Sequence, residues 1–192
     1  MESLPNQLTV ARLIAVPLFI ATFFMQDVHL GNILALTIFI IASLTDFFDG
    51  FLARALDAES KFGTMLDPIA DKLLVVAVLV VLVFDRQENT LPRVDIIPAL
   101  IIILREIFVS GMREFLASEQ VKMPVTKLAK WKTAIQFLAL TFVMAAPVIA
   151  SETATLQQLG NALLWLAAVL TFITGFQYYR HTMGYIRLAG RE

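Results

Sequence analysis

The chain has 192 residues, of which 58% are hydrophobic and 16% charged, with 15 Lys and Arg against 16 Asp and Glu and a mean hydropathy of +0.77. Soluble domains carry about 25% charged residues, so this composition excludes a soluble globule and a disordered tail; the formal net charge of −1 argues against a nucleic-acid binder, which needs a basic excess. With no cysteine, disulfides, thiolate metal sites and a Cys nucleophile are excluded as well, leaving a small polytopic membrane protein of one domain, 1–192.

Six stretches reach the ~20 residues that an α-helix needs to cross a ~30 Å hydrocarbon core. In chain order they are 8–26, 30–54, 64–84, 96–116, 125–150 and 156–179. The expected fold class is therefore an all-α integral membrane protein with six transmembrane helices. Residues 1–5 carry no basic segment, and no small-residue cleavage pattern follows, so the N-terminus does not read as a signal peptide. Pro92 and Pro98 bracket the entry to the fourth span, and Pro124 opens the fifth.

The spans are not equally apolar. The first four hold Arg12, then Asp46 and Asp49, then Asp67, Asp71 and Lys72, then Arg105, Glu106, Arg113 and Glu114, whereas 133–151 and 153–179 are free of charge. A charge near the bilayer centre costs roughly 2.5–3.5 kcal/mol on insertion scales, so such residues face one another or a polar cavity. If the spans alternate in direction, all of them fall toward one membrane side, which predicts a single polar cavity. Lys61, Lys122, Lys127, Arg187 and Arg191 lie on that side, with Arg54, Lys130, Lys132 and Arg180 at its helix ends; Arg86 and Arg93 lie on the other. An excess of Lys and Arg marks the cytoplasmic face, so both termini and the cavity are expected there.

The second and third spans hold the most informative residues. Asp46 and Asp49 are three apart and Asp67 and Asp71 four apart, so each pair shares a helix face. Gly50 and Ala53 continue the first face and Gly63 the second, leaving nearly bare backbone beside the carboxylates. The short 55–62 link makes the two helices antiparallel neighbours and gathers four carboxylates into one pocket. Their charges would drive the helices apart without cations, and two divalent ions would balance them. Oxygen-only ligation favours Mg²⁺ or Mn²⁺ over zinc, and paired metals suit phosphoryl transfer. Arg54 is placed to clamp a diphosphate. Pro68 frees a carbonyl within the third span, as a plain kink or as part of the metal site. Asp57 and Glu59, in the link, read as solvated.

A second, cationic cluster follows. Arg105 and Arg113 are eight residues apart, about 80° in projection at ~100° per residue, and can both face inward. Lys127, Lys130 and Lys132 open the fifth span. Such a cluster suits an anionic, phosphorylated acceptor. The alternative is that the arginines only pair with Glu106 and Glu114 and the lysines only follow the positive-inside rule. His29 and His181 lie away from the carboxylates. Trp131, Trp165, Tyr178 and Tyr179 suit interfacial or packing positions, and the 15 Phe residues suit lipid-facing bulk.

Residues 46–71 match the pattern D-x2-D-G-x2-A-R-x8-G-x3-D-x3-D and so resemble the CDP-alcohol phosphotransferase family. The resemblance implies a six-helix membrane fold, a homodimer, and two metal ions (Mg²⁺, with Mn²⁺ possible) in a cavity facing the cytoplasm. It implies that Asp46, Asp49 and Asp67 are metal ligands and that Asp71 is both ligand and general base. Gly50, Ala53, Arg54 and Gly63 would line the CDP site. The implied reaction is attack of an alcohol on the β-phosphorus of a CDP-linked donor, with release of CMP. Pro5–Arg12, Arg105-Glu106-Ile107, Arg113-Glu114 and Lys127–Thr133 further resemble the branch of that family whose acceptor is a glycerol phosphate, although Ala129 stands where that branch often has Gly. This implies CDP-diacylglycerol and sn-glycerol 3-phosphate as substrates, with Arg105, Arg113 and Lys130 on the acceptor phosphate. The expected location is a bacterial inner membrane, with membrane lipid as the surroundings. Another phosphorylated alcohol such as inositol phosphate remains open as acceptor. A divalent-cation transporter is the alternative from another class, weakened because the last two spans offer no polar relay.

Overall fold

The computed structural model describes residues 4–56, 61–84, 95–121, 127–149 and 153–189, without the side chains of 4–6, 46–56, 61–65, 67, 68, 71, 127 and 153. The described residues form six α-helices and no strand: α1 (Leu4–Thr22), α2 (Val28–Leu56), α3 (Lys61–Phe84), α4 (Ile96–Ser118), α5 (Lys127–Ala145) and α6 (Thr153–Ala189). The stretches Val28–Thr45 of α2 and Ala154–Ala189 of α6 are long and apolar enough to cross a membrane, while 7–22 and 72–84 are shorter apolar helices. In α4 and α5 the charges interrupt the apolar run. Large apolar side chains stay exposed along several helices, among them Ile14, Leu18, Leu104, Ile107, Phe108, Phe172 and Phe176, a surface suited to contact with lipid.

Several helix ends depart from the expected spans, α1 beginning at Leu4, α3 at Lys61 and α6 at Thr153. The first helix stops at Thr22, short of Gln26, where Phe23, Phe24 and Met25 donate to carbonyls three residues back. Asp27 then caps α2: its carboxylate accepts from the Leu30 amide at 3.0 Å, satisfying a donor that a helix start leaves open. This turn is tight, since a Cβ on Gly31 would lie 2.7 Å from the Thr22 carbonyl oxygen. Gly31→Ala is expected to lower stability by about 1–3 kcal/mol. Gly184→Ala, where nothing lies within 4 Å of an added Cβ, serves as control; thermal unfolding in detergent compares them. The fifth helix stops at Ala145, short of Ala150, as Val148 and Ile149 turn back onto the Ala145 carbonyl around Pro147, which has no amide to continue the helix. The sixth runs ten residues past Tyr179 and reaches 37 residues, about 55 Å at 1.5 Å per residue.

Packing divides the chain into two compact units, Met1–Thr90 with Leu140–Leu159, and Leu91–Ala139 with Gly160–Glu192. In the first, α1 packs against α2 and α3. Its inner face is Thr9, Arg12, Phe19 and Thr22, meeting Ala35, Phe39 and Ala42 of α2 and Ala70, Leu74 and Val78 of α3. These spacings of three, four and seven are those of a helical stripe.

In the second unit, α4 turns Ile102, Val109, Met112 and Leu116 inward, and Tyr178 of α6 packs with Val109 and Met112. Polar contacts join α4 to α6 along their length. Trp165 Nε1 donates to Asp95 at 2.7 Å, Arg105 to Thr174 at 3.4 Å, Arg113 to Tyr178 at 2.8 Å, and Tyr185 to Glu119 at 3.0 Å. Both members of each pair advance together in number, so α4 and α6 run parallel.

Candidate active site

The acidic signature belongs to the first unit. Asp46 and Asp49 sit on α2, and Asp67 and Asp71 on α3. Their side chains, with those of Gly50, Ala53, Arg54 and Gly63, lie outside the described residues. The backbone nonetheless fixes their level along each helix. Asp46 is ten residues before Leu56, where α2 ends, and Asp71 is ten after Lys61, where α3 begins. Both therefore stand about 15 Å from the connection between the helices, and Asp49 and Asp67 about 10 Å from it. Four residues join the two helix ends, 57–60. Chain geometry limits those ends to about 18 Å apart.

A cleft of about 180 Å³ opens beside this level, lined by Ala11, Arg12 and Ala15 of α1 and by Ile38, Ala42 and Thr45 of α2. Thr45 immediately precedes Asp46. Arg12, only 2% exposed, brings a cation into this unit. Among the described residues, no three of His, Cys, Asp and Glu come together as a metal site. The donor set of the signature itself, four carboxylates in face-sharing pairs with no sulfur or imidazole, fits hard divalent cations.

The cationic cluster belongs to the second unit and is built by α4, α5 and α6. Arg105 sits in the buried stripe of α4, three residues after Ile102 and four before Val109. Its Nη1 donates to Glu106 Oε1 at 3.1 Å. The same carboxylate oxygen accepts from Lys132 of α5, a residue only 6% exposed. Arg113 turns to Tyr178 rather than to Glu114. Of the pairings open from sequence, Arg105 with Glu106 therefore forms and Arg113 with Glu114 does not. Glu106 thus meets two cations, Arg105 and Lys132, while Arg113 is held by Tyr178. Lys130 stands exposed on α5; Lys127's side chain lies outside the described residues.

Residues of α6 that sequence reasoning passed over complete this cluster. The Tyr178 ring lies 5.0 Å from the Arg113 guanidinium carbon and 5.7 Å from that of Arg105, within cation–π range. Thr174 accepts from Arg105, and a Cβ on Gly175 would come within 3.0 Å of Arg105 Cγ. A signal was present: Thr171, Thr174, Tyr178 and Thr182 recur at three- and four-residue spacing, and all are buried. Trp165, expected at an interface or in packing, holds Asp95, which is 3% exposed at the start of α4.

An all-helical chain with this acidic signature and a second, cationic cluster defines a class, and the comparisons identify it. The family model described as CDP-alcohol phosphatidyltransferase matches residues 2–173, and the chain belongs to that family. A protein of Rickettsia bellii named CDP-diacylglycerol–glycerol-3-phosphate 3-phosphatidyltransferase is 45% identical over 179 residues, covering 93% of this chain and 94% of its own. One of the same name from Cereibacter sphaeroides is 41% identical over 218 residues, covering 96% and 97%. A rice protein named cardiolipin synthase (CMP-forming) is 40% identical over 189 residues, covering 93% of this chain and 56% of its own.

Proposed function

We propose that this chain transfers the phosphatidyl group of CDP-diacylglycerol to sn-glycerol 3-phosphate, giving phosphatidylglycerophosphate and CMP. One observation carries the choice of acceptor: Arg105 and Lys132 meet at one carboxylate, Glu106, and Arg113 joins Arg105 at the Tyr178 ring. A cluster of cations suits an acceptor that brings its own phosphate; a neutral alcohol has no use for it. The 45% identical relative supports the same acceptor through its name.

Asp46, Asp49, Asp67 and Asp71 would hold two Mg²⁺ ions, which when bound neutralise the diphosphate and polarise its phosphoryl oxygens. Arg54 grips the diphosphate through its planar donors, with Gly50, Ala53 and Gly63 leaving room for the cytidine end. Arg105, Arg113 and Lys130 hold the acceptor phosphate. Asp71 takes the proton of the attacking sn-1 hydroxyl. The new bond forms between that oxygen and the β-phosphorus. The bond from this phosphorus to the bridging oxygen breaks, and CMP leaves with the bridge. No covalent enzyme intermediate is needed, because positioning and electrostatics carry phosphoryl transfer.

In this reading the chain is one membrane domain of six spans, with both termini and a polar cavity on the cytoplasmic side of a bacterial inner membrane, and works as a homodimer. The Lys and Arg bias of the connections supports the orientation, and the exposed apolar side chains support the membrane setting.

CMP release by the detergent-solubilised chain, given CDP-diacylglycerol and Mg²⁺, tests the proposal. Release is expected to require glycerol 3-phosphate and to stop with EDTA. Release with inositol phosphate in its place would keep the chemistry and overturn the acceptor. No release with any alcohol would favour the ion-transport reading of the four aspartates.

A further inference from the structure

We infer that Thr174, Gly175 and Tyr178 of α6 are positioning residues for the acceptor phosphate, holding Arg105 and Arg113 together as one anion-binding pair. The inference rests on the acceptor proposed above and adds to the site a segment that begins just past residue 173, where the family match ends.

Two guanidinium groups beside one ring repel each other, so something must hold them there. Tyr178 does so twice over. Its ring lies within 6 Å of both cations, and its hydroxyl accepts from Arg113 Nη2 at 2.8 Å. The ring itself is fixed, being 4% exposed and packed on Val109 and Met112 of α4. Arg105 is held from the same helix. Thr174 Oγ1 takes its Nη2, and Thr174 in turn donates to the Leu170 carbonyl at 2.9 Å, which orients the hydroxyl's lone pairs outward. The missing Cβ of Gly175 lets the Arg105 stem lie against the α6 backbone.

The pair is built but not fully used. Arg105 Nε is buried with no hydrogen-bond partner, although a buried donor without a partner is disfavoured. Arg105 shares its carboxylate oxygen, Glu106 Oε1, with Lys132, and Arg113 is held by a neutral hydroxyl. A phosphate dianion supplies acceptor oxygens for the open donor and countercharge for the two guanidinium groups. For a packing role alone, neither the close approach at Gly175 nor the shared ring would be needed.

The test measures kcat and the KM of each substrate, together with inorganic phosphate binding by calorimetry and the detergent unfolding midpoint, on the full chain. Tyr178→Phe keeps the ring and removes the bond to Arg113. It is expected to raise the glycerol 3-phosphate KM about tenfold, the effect of losing one hydrogen bond to a charged group. Tyr178→Leu should raise it further, and Gly175→Ala should raise it by displacing the Arg105 stem. The CDP-diacylglycerol KM should stay within about twofold, because the donor is bound elsewhere. Phosphate binding should weaken in step with the acceptor KM. An acceptor KM and phosphate affinity unchanged in Tyr178→Phe and Gly175→Ala would overturn the inference, whatever the unfolding midpoints do; so would equal rises in both KM values. These two variants decide the matter even if Tyr178→Leu fails to fold. If the unsubstituted chain releases no CMP with glycerol 3-phosphate, the proposed function fails. Phosphate binding by the same variants then still decides whether α6 organises the arginines.

Discussion

Replacing Glu106 by alanine is expected to lower the stability of the detergent-solubilised chain by about 3–5 kcal/mol, the range for stripping a buried ion pair of one partner. The size follows from what the carboxylate holds. Its Oε1 takes both Arg105 and Lys132, whose side chains are at least as enclosed as its own. Removing it leaves two cations in a largely enclosed place. Glu106→Gln should cost less, since the amide oxygen still accepts from Lys132. Lys132→Met should also cost less, because Glu106 keeps Arg105. The informative combination is Glu106→Ala with Lys132→Met, which removes one of the two cations along with the anion and should recover part of the loss. Unfolding midpoints for the four variants settle the point; strictly additive losses would mean that the carboxylate does not couple the two helices.

Asp71→Asn is expected to reduce CMP release by about 10²–10⁴-fold, the contribution of a positioned general base, while leaving the unfolding midpoint and CDP-diacylglycerol binding close to those of the unsubstituted chain. Asparagine keeps the shape of the side chain and removes its basicity, so a base and a scaffold residue respond differently. Asp57→Asn, in the connection between α2 and α3, should leave turnover unchanged. If Asp71→Asn lowers stability as much as activity, Asp71 is not the base.

The two halves of the candidate site differ in how far the sequence discloses them. Spacing alone places Asp46, Asp49, Asp67 and Asp71 on two helix faces, because the period of a helix is fixed and the link between the two spans is short. The helices confirm that both pairs lie within α2 and α3. The cationic half is harder to read. Lys127, Lys130 and Lys132 fall within two turns, and composition cannot say which one points inward. That depends on the face α5 presents, and the buried stripe Val143, Ala139, Gln136, traced backward, arrives at Lys132. Tyr178 and Thr174 were obscured for another reason: they lie in a long apolar run where an aromatic residue has many uses, and only their spacing with Thr171 and Thr182 sets them apart. Helix ends were missed where local chemistry decided them, at Asp27, which starts a new helix, and at Pro147, which cannot continue one.

The parallel course of α4 and α6 has a mechanical consequence. Their polar contacts form a ladder of four rungs, from Asp95–Trp165 to Glu119–Tyr185. The 24 residues from Asp95 to Glu119 rise about 36 Å, close to the thickness of a bilayer core. No single rung is strong, but sliding one helix by a turn would break all of them at once. In the proposed six-span topology, a bilayer that is locally thinner or thicker is then met by tilting the two helices as one body, since slippage is blocked. The arginines would then keep their level against Tyr178 whatever the lipid around them, and the proposed grip on an anion would be insulated from changes in membrane thickness.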